Sequence, residues 1–260
     1  VLEGGDADVK DAFAWMIERA GGGNCVVLRA SGSDGYHDWV FRRIGGVASV
    51  ETIVTKTAAG ADDAFVIDRI DRADAIFVAG GDQSDYELLW RDSALLRALQ
   101  RAVTQRRVPI GGTSAGMVML SGIAFAARAG TINSTDALAN IDDPRIDLVD
   151  GLIALPALAA TVSDSHIVRR DRMGRLVAFM GRAILDRQVK LADARAIGVE
   201  AKTALVIEGD LARVEGPGAV YFLRPLGAAP MRCDKPANAL AFRNVQVQRI
   251  DTKQQTFDLA

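Results

Sequence analysis

Histidine and cysteine are scarce, two of each in 260 residues. Cys25 and Cys233 cannot staple a disulfide scaffold or supply a cysteine-rich zinc site. One disulfide between them is open as a pairing, but Cys25 opens an apolar run and reads as a buried thiol. His37 and His166 leave little room for histidine-rich metal chemistry, and no metal is expected. An excess of one charge is also missing. Lys plus Arg number 31 against 33 Asp plus Glu, a formal net charge of −2, which excludes a broad electrostatic footprint for nucleic acid. No apolar run approaches the roughly 20 residues needed to cross a bilayer as a helix, so no membrane partner is expected. Internal repeats, low-complexity segments and a clear linker are absent too. The expectation is one domain over residues 1–260, with a β-rich tail over 225–260.

What is present is ordinary globular material, 49% apolar and 25% charged, enough for a buried core in a chain of this length. The chain opens at Val1 in what reads as a strand running into Gly4 and Gly5. Such an opening suggests removal of something upstream, and it leaves the compartment open between cytoplasm and export. Asp6 and Asp8 are cap residues ahead of a helical pattern at Val9, Phe13, Met16, Ile17 and Ala20. Cys25 to Ala30 and Ala75 to Ala79 read as buried strands, as does Val47 to Val54. A helix holding Trp39 to Ile44 and a short one around Phe65 to Ile70 lie between them. Leu88, Leu89, Leu95, Leu96 and Leu99 predict one long helix over Tyr86 to Val103, and Val108 to Ile110 a short strand. Alternating strands and helices argue for an α/β fold, a mostly parallel sheet with helices on both faces. Sites on such sheets lie at the carboxyl ends of strands. Later runs (Ala196 to Glu200, Thr203 to Ile207, Ala212 to Val214, Ala219 to Leu223) read as antiparallel strands, and Leu240 to Ile250 as one more.

Gly112-Thr113-Ser114-Ala115-Gly116 is a G-x-S-x-G segment between a short strand and an apolar helix. Small neighbours permit the strained turn that exposes a nucleophilic serine. The amide of Ala115 is then one oxyanion donor, with a second expected from Gly81 or Asp82. The same residues also suit a glycine-rich turn with a capping serine. A serine nucleophile needs a base. His166, 52 residues on within Asp164-Ser165-His166, fits the serine-then-histidine order of open α/β sheets. His37 is the alternative. Arg169, Arg170, Arg172 and Arg175 follow His166 in a predicted helix. They read either as a solvated face or as a clamp for substrate carboxylates. Gln83, after Gly80-Gly81-Asp82, either orients substrate or opens a helix.

The stretches AGGDQ (Ala79 to Gln83), GGTSAG (Gly111 to Gly116), DSHIVRRDRMGRL (Asp164 to Leu176) and AIGVEAKTALVI (Ala196 to Ile207) occur together in order. In this the chain resembles the cyanophycinase and aspartyl dipeptidase family of serine peptidases, over residues 1 to about 210. The resemblance implies a flavodoxin-like fold, Ser114 as nucleophile and His166 as base. It implies a pocket lined by Gln83, Asp164, Ser165, Arg170, Arg172 and Arg175, with Ser165 standing where cyanophycinases commonly carry Gln. It implies an aspartyl peptide substrate, either cyanophycin yielding β-aspartyl-arginine or short α- or iso-aspartyl peptides. No cofactor is implied, a homodimer is, and some relatives are exported. The family places the third acid between serine and histidine, which points to Asp136; Glu200 and Asp164 are the other candidates. A non-catalytic binding protein on the same fold is the reading from another class. Glutamine amidotransferases need cysteine at the elbow, where neither Cys25 nor Cys233 stands.

Overall fold

The computed structural model describes residues 1–236, 238–252 and 256–259. The first half alternates β1 (Leu2–Glu3), α1 (Lys10–Arg19), β2 (Asn24–Arg29), a π-helical turn at Trp39–Ile44, β3 (Ser49–Val54), α2 (Ala58–Ala61), α3 (Ala64–Asp71), β4 (Ala75–Val78), α4 (Gln83–Trp90), α5 (Ala94–Thr104), β5 (Ile110–Thr113) and α6 (Ala115–Met119). The second half runs through β6 (Ile123–Phe125), α7 (Ser134–Ala139), β7 (Leu148–Asp150), a single 3-10 turn (Pro156–Leu158), β8 (Thr161–Ser165), α8 (Met173–Leu185) and β9 (Arg195–Val199). It closes with β10 (Ala204–Glu208), β11 (Leu211–Glu215), β12 (Ala219–Pro225), β13 (Met231–Arg232), β14 (Leu240–Ala241), β15 (Val245–Asp251) and β16 (Phe257–Asp258).

Two larger sheets result. The first has eight strands in the order β16-β11-β10-β1-β5-β4-β2-β3. Its β1, β5, β4, β2 and β3 are parallel, and β10, β11 and β16 run antiparallel at one edge. Alternate residues of β2 and β4 enter different cores. Val26, Leu28, Ile76 and Val78 pack with Leu95, Leu99 and Trp90, whereas Cys25, Val27, Ala75 and Phe77 pack with Phe13, Met16 and Val40. This sheet is therefore covered on both faces, as continuous apolar strands require. The second sheet has six strands, β15-β12-β9-β8-β6-β7, with β6, β8 and β9 parallel. Its Ile123, Phe125 and Val162 bury against Leu176, Phe179 and Met180 of α8. Helix α6 joins both cores, Met117 and Met119 entering one and Val118 the other. The mixed α/β class, a mostly parallel sheet with added antiparallel strands, is the one the alternating pattern predicts.

Several elements depart from expectation. Tyr86 to Val103 is not one helix. Asp92 takes a left-handed conformation at φ 62°, and Ser93 caps α5, its hydroxyl accepting from the Leu96 amide at 3.2 Å. Such a cap is worth about 1 kcal/mol, so a local signal outweighs the continuous leucine pattern. The Arg169–Arg175 helix does not form as drawn: α8 starts only at Met173, and Asp171 sits at φ 49°. Arg169, Arg170 and Arg172 thus lie in a turn rather than on one helical face. Leu240 to Ile250 splits into β14 and β15. Strand β9 pairs parallel with β8 as well as antiparallel with β12. Both cysteines are free, Cys25 buried and Cys233 half-buried.

Candidate active site

Ser114 ends β5 and opens α6 with φ 52° and ψ −114°. A non-glycine residue there is strained. The strain has a packing cause. A Cβ placed on Gly116 would lie 2.1 Å from the Val78 carbonyl oxygen, so α6 starts hard against the end of β4 and the chain must turn sharply at Ser114. His166 follows β8 and also has positive φ, 54°. The two residues come from different sheets and meet at the end of β1. The Ser114 amide donates to the Glu3 carbonyl at 3.0 Å, and the His166 amide donates to the Gly4 carbonyl at 3.0 Å. Their side chains close to hydrogen-bonding distance, Ser114 Oγ to His166 Nε2 at 2.9 Å. Gly5 lies directly against the pair: at φ 88°, its Cβ would come 2.4 Å from His166 Cε1 and 3.1 Å from Ser114 Cβ. No other side chain fits there.

Burial depresses the His166 imidazole to about 4, assisted by the charges of Arg170 and Arg172 and opposed by those of Asp6 and Asp164. The ring is neutral at pH 7, as a base accepting the serine proton must be. Its Nδ1 is buried with no hydrogen-bond partner among the described residues. The atom facing Nδ1 is Asp6 Oδ1, at 3.3 Å. Arg169 holds the other carboxylate oxygen of Asp6 through Nη1.

The carboxylates expected beside His166 are engaged elsewhere. Asp136 pairs with Arg145 at 3.2 Å. Glu200 accepts from the Tyr221 hydroxyl at 2.7 Å and from the Ala219 amide at 3.1 Å. Asp164 forms a two-pronged ion pair with Arg175 at 2.6 and 2.8 Å. No hydrogen bond or ion pair joins any of the three to His166 among the described residues. Arg175 itself is only 2% exposed and also donates to the Ile132 carbonyl at 3.0 Å. Its guanidinium lies over the rings of Phe125 and Phe179. Arg172 donates to the Ser165 carbonyl at 3.1 Å, and burial lowers its guanidinium to about 10. Ser165 is buried beside it. The Arg170 side chain, by contrast, is exposed and makes no hydrogen bond or ion pair among the described residues, yet its charge is felt by His166.

The amide of Ala115 opens α6 beside Ser114. In the turn after β4 the residue abutting the serine is Gly80, whose Cβ would stand 3.4 Å from Ser114 Cβ, whereas a Cβ on Gly81 would face Ser31 and Tyr86. Asp82 caps α4 by accepting from the Ser84 amide at 2.9 Å. Gln83 is half-buried at the first position of α4 and makes no side-chain hydrogen bond among the described residues. His37 is exposed and packs its ring on Phe41. No group of three or more His, Cys, Asp or Glu able to hold a metal ion occurs among the described residues.

Gly5 and Asp6 were not legible as site residues, although a signal existed. Gly4-Gly5-Asp6 repeats Gly80-Gly81-Asp82, and each tripeptide follows a parallel strand.

Residues 38–150 match the model of Peptidase family S51. A cyanophycinase from Synechococcus elongatus is 32% identical over 191 residues, covering 73% of this chain and 53% of the relative. A cyanophycinase from Geminocystis herdmanii is 25% identical over 165 residues, covering 64% of this chain and 54% of the relative. The chain spans about half the length of these curated relatives. Among solved structures, a peptidase from an acI-B1 Actinobacterium superposes with a TM-score of 0.62 at 15% identity, covering 99% of this chain and 94% of that one. That likeness concerns the fold alone.

Proposed function

We propose that the chain belongs to Peptidase family S51 and is a serine-type hydrolase of aspartyl peptide bonds. The observation that carries this reading is the 2.9 Å contact between Ser114 Oγ and His166 Nε2, made by a serine at positive φ. Ser114 Oγ attacks the scissile carbonyl as His166 Nε2 takes its proton. The negative charge that develops on the carbonyl oxygen is met by the Ala115 amide and by an amide of the Gly80–Asp82 turn. His166 then gives the proton to the departing amine. Water, deprotonated in its turn by His166, releases the acid from Ser114.

Of the arginines, Arg170 is the guanidinium best placed for a substrate carboxylate, because Arg175 is committed to Asp164 and Arg172 to Ser165. Gln83 is the polar side chain left to orient the peptide. Aspartyl side chains are the carboxylates such a site selects, and the cyanophycinase relatives favour cyanophycin, with β-aspartyl-arginine as product. The test is a panel of cyanophycin and α- and β-aspartyl dipeptides, with products identified by mass spectrometry. Release of β-aspartyl-arginine, absent in Ser114→Ala, supports the polymer reading. Turnover of dipeptides alone restricts the function to a dipeptidase, and no turnover of any member contradicts both.

A further inference from the structure

His166 Nδ1 is buried without a hydrogen-bond partner among the described residues, while its other ring nitrogen faces the serine. For Nε2 to accept the Ser114 proton, the ring hydrogen must sit on Nδ1, and an unpaired N–H in a buried site is costly. The described groups around the ring are few. Asp6 comes from the loop after β1, Asp164 from β8, and Arg169, Arg170 and Arg172 from the turn that follows His166. Asp164 is taken by Arg175 on both oxygens. Among the described residues, Asp6 alone presents a carboxylate oxygen to Nδ1, at 3.3 Å. Its side chain is 14% exposed, and its second oxygen is gripped by Arg169. The burial that would push the Asp6 carboxyl up is outweighed by the Arg169 hydrogen bond and the charges of His166, Arg169 and Arg170, which hold it below the ordinary carboxyl value. It is therefore an anion at neutral pH.

We infer that Asp6 is the residue that positions His166, accepting its Nδ1–H once the 3.3 Å contact tightens, and that Arg169 anchors the Asp6 carboxylate in the required orientation. The resulting order along the chain, acid, serine, histidine, places the acid before the nucleophile. It is made available by β1, which lies next to β5 in the sheet although 106 residues separate Glu3 from Ile110 along the chain. This inference rests on the Ser114–His166 reading, and its test separates the two.

The test measures the rate at which a fluorophosphonate labels Ser114, and the kcat and KM for whichever peptide is turned over, in wild type, Asp6→Asn, Arg169→Ala, Arg169→Lys and Ser114→Ala. Asp6→Asn is expected to slow labelling and lower kcat by between about a hundredfold and ten-thousandfold, with KM little changed, as loss of the orienting acid does in other serine hydrolases. Arg169→Ala should slow both by a smaller factor, and Arg169→Lys should restore part of it. A purely structural role would instead lower the folded fraction and leave the rate per folded molecule unchanged. Nitrogen NMR of His166 in the wild-type protein supplies a readout independent of mutants: the hydrogen is expected on Nδ1. Wild-type labelling in Asp6→Asn, or a ring protonated on Nε2, overturns the inference. Labelling that survives in Ser114→Ala overturns the serine reading beneath it.

Discussion

At the scale of single residues, the site depends on charge state as much as on distance. A histidine serving as base must be neutral, and burial keeps His166 so by lowering it to about 4. The acid limb of kcat/KM is therefore expected near pH 4, well below the 6.5 of an unperturbed imidazole. The sign for stability follows. Between about 4 and 6.5 the unfolded chain binds a proton at this residue that the folded chain does not, so this contribution to stability is complete above 6.5 and is lost as the pH falls toward 4. A pH–rate profile checks the first point; an acid limb at 6 to 7 would contradict a buried base. The contact between Ser114 and His166 was foreshadowed in the sequence by a small-residue bend around the one and the polar Asp164-Ser165-His166 segment around the other. Asp6 was not, because at the level of its neighbours it looks like a helix cap before α1. Only the placement of β1 beside β5 brings it to the imidazole.

At the scale of elements, the arginine-rich stretch divides into two parts with different duties. The turn over residues 166–172 carries the charges that surround His166. Helix α8 carries Arg175, whose bidentate pairing with Asp164 ties its first turn to β8, the strand that delivers His166. Periodicity placed all four arginines on one helix because it cannot see a left-handed residue such as Asp171 interrupting the pattern. Likewise, nothing in the sequence announces that Arg175 has an internal aspartate as its partner. The pairing makes a definite prediction. Asp164→Ala leaves the Arg175 charge buried without its partner and should cost about 3–5 kcal/mol of folding stability, read as a fall in denaturant midpoint. A loss below about 1 kcal/mol would mean that the pair is not enclosed as described.

At the scale of the whole molecule, the proposed catalysis lies at a seam. One sheet supplies Ser114 at the end of β5, the other supplies His166 at the end of β8, and the Glu3–Gly5 segment at the end of β1 bonds to both, through the Glu3 and Gly4 carbonyls. The Gly4 amide donates to the Thr203 carbonyl at 2.8 Å, and the Gly5 carbonyl accepts from the Lys202 amide at 2.8 Å, so the same segment is also fastened to the antiparallel edge. The alternating pattern of the first half made the parallel sheet readable. The second sheet was read only in part, because β6, β7 and β8 are short and sequence order does not encode which strands become neighbours. The central claim is that these two halves activate one hydroxyl. Its most direct measurement is mass-spectrometric mapping of a fluorophosphonate adduct on the folded protein. The adduct is expected on Ser114 alone, absent in Ser114→Ala and slowed by at least about a hundredfold in His166→Ala. Labelling of His166→Ala at the wild-type rate, or an unreactive Ser114 in the native protein, would contradict it.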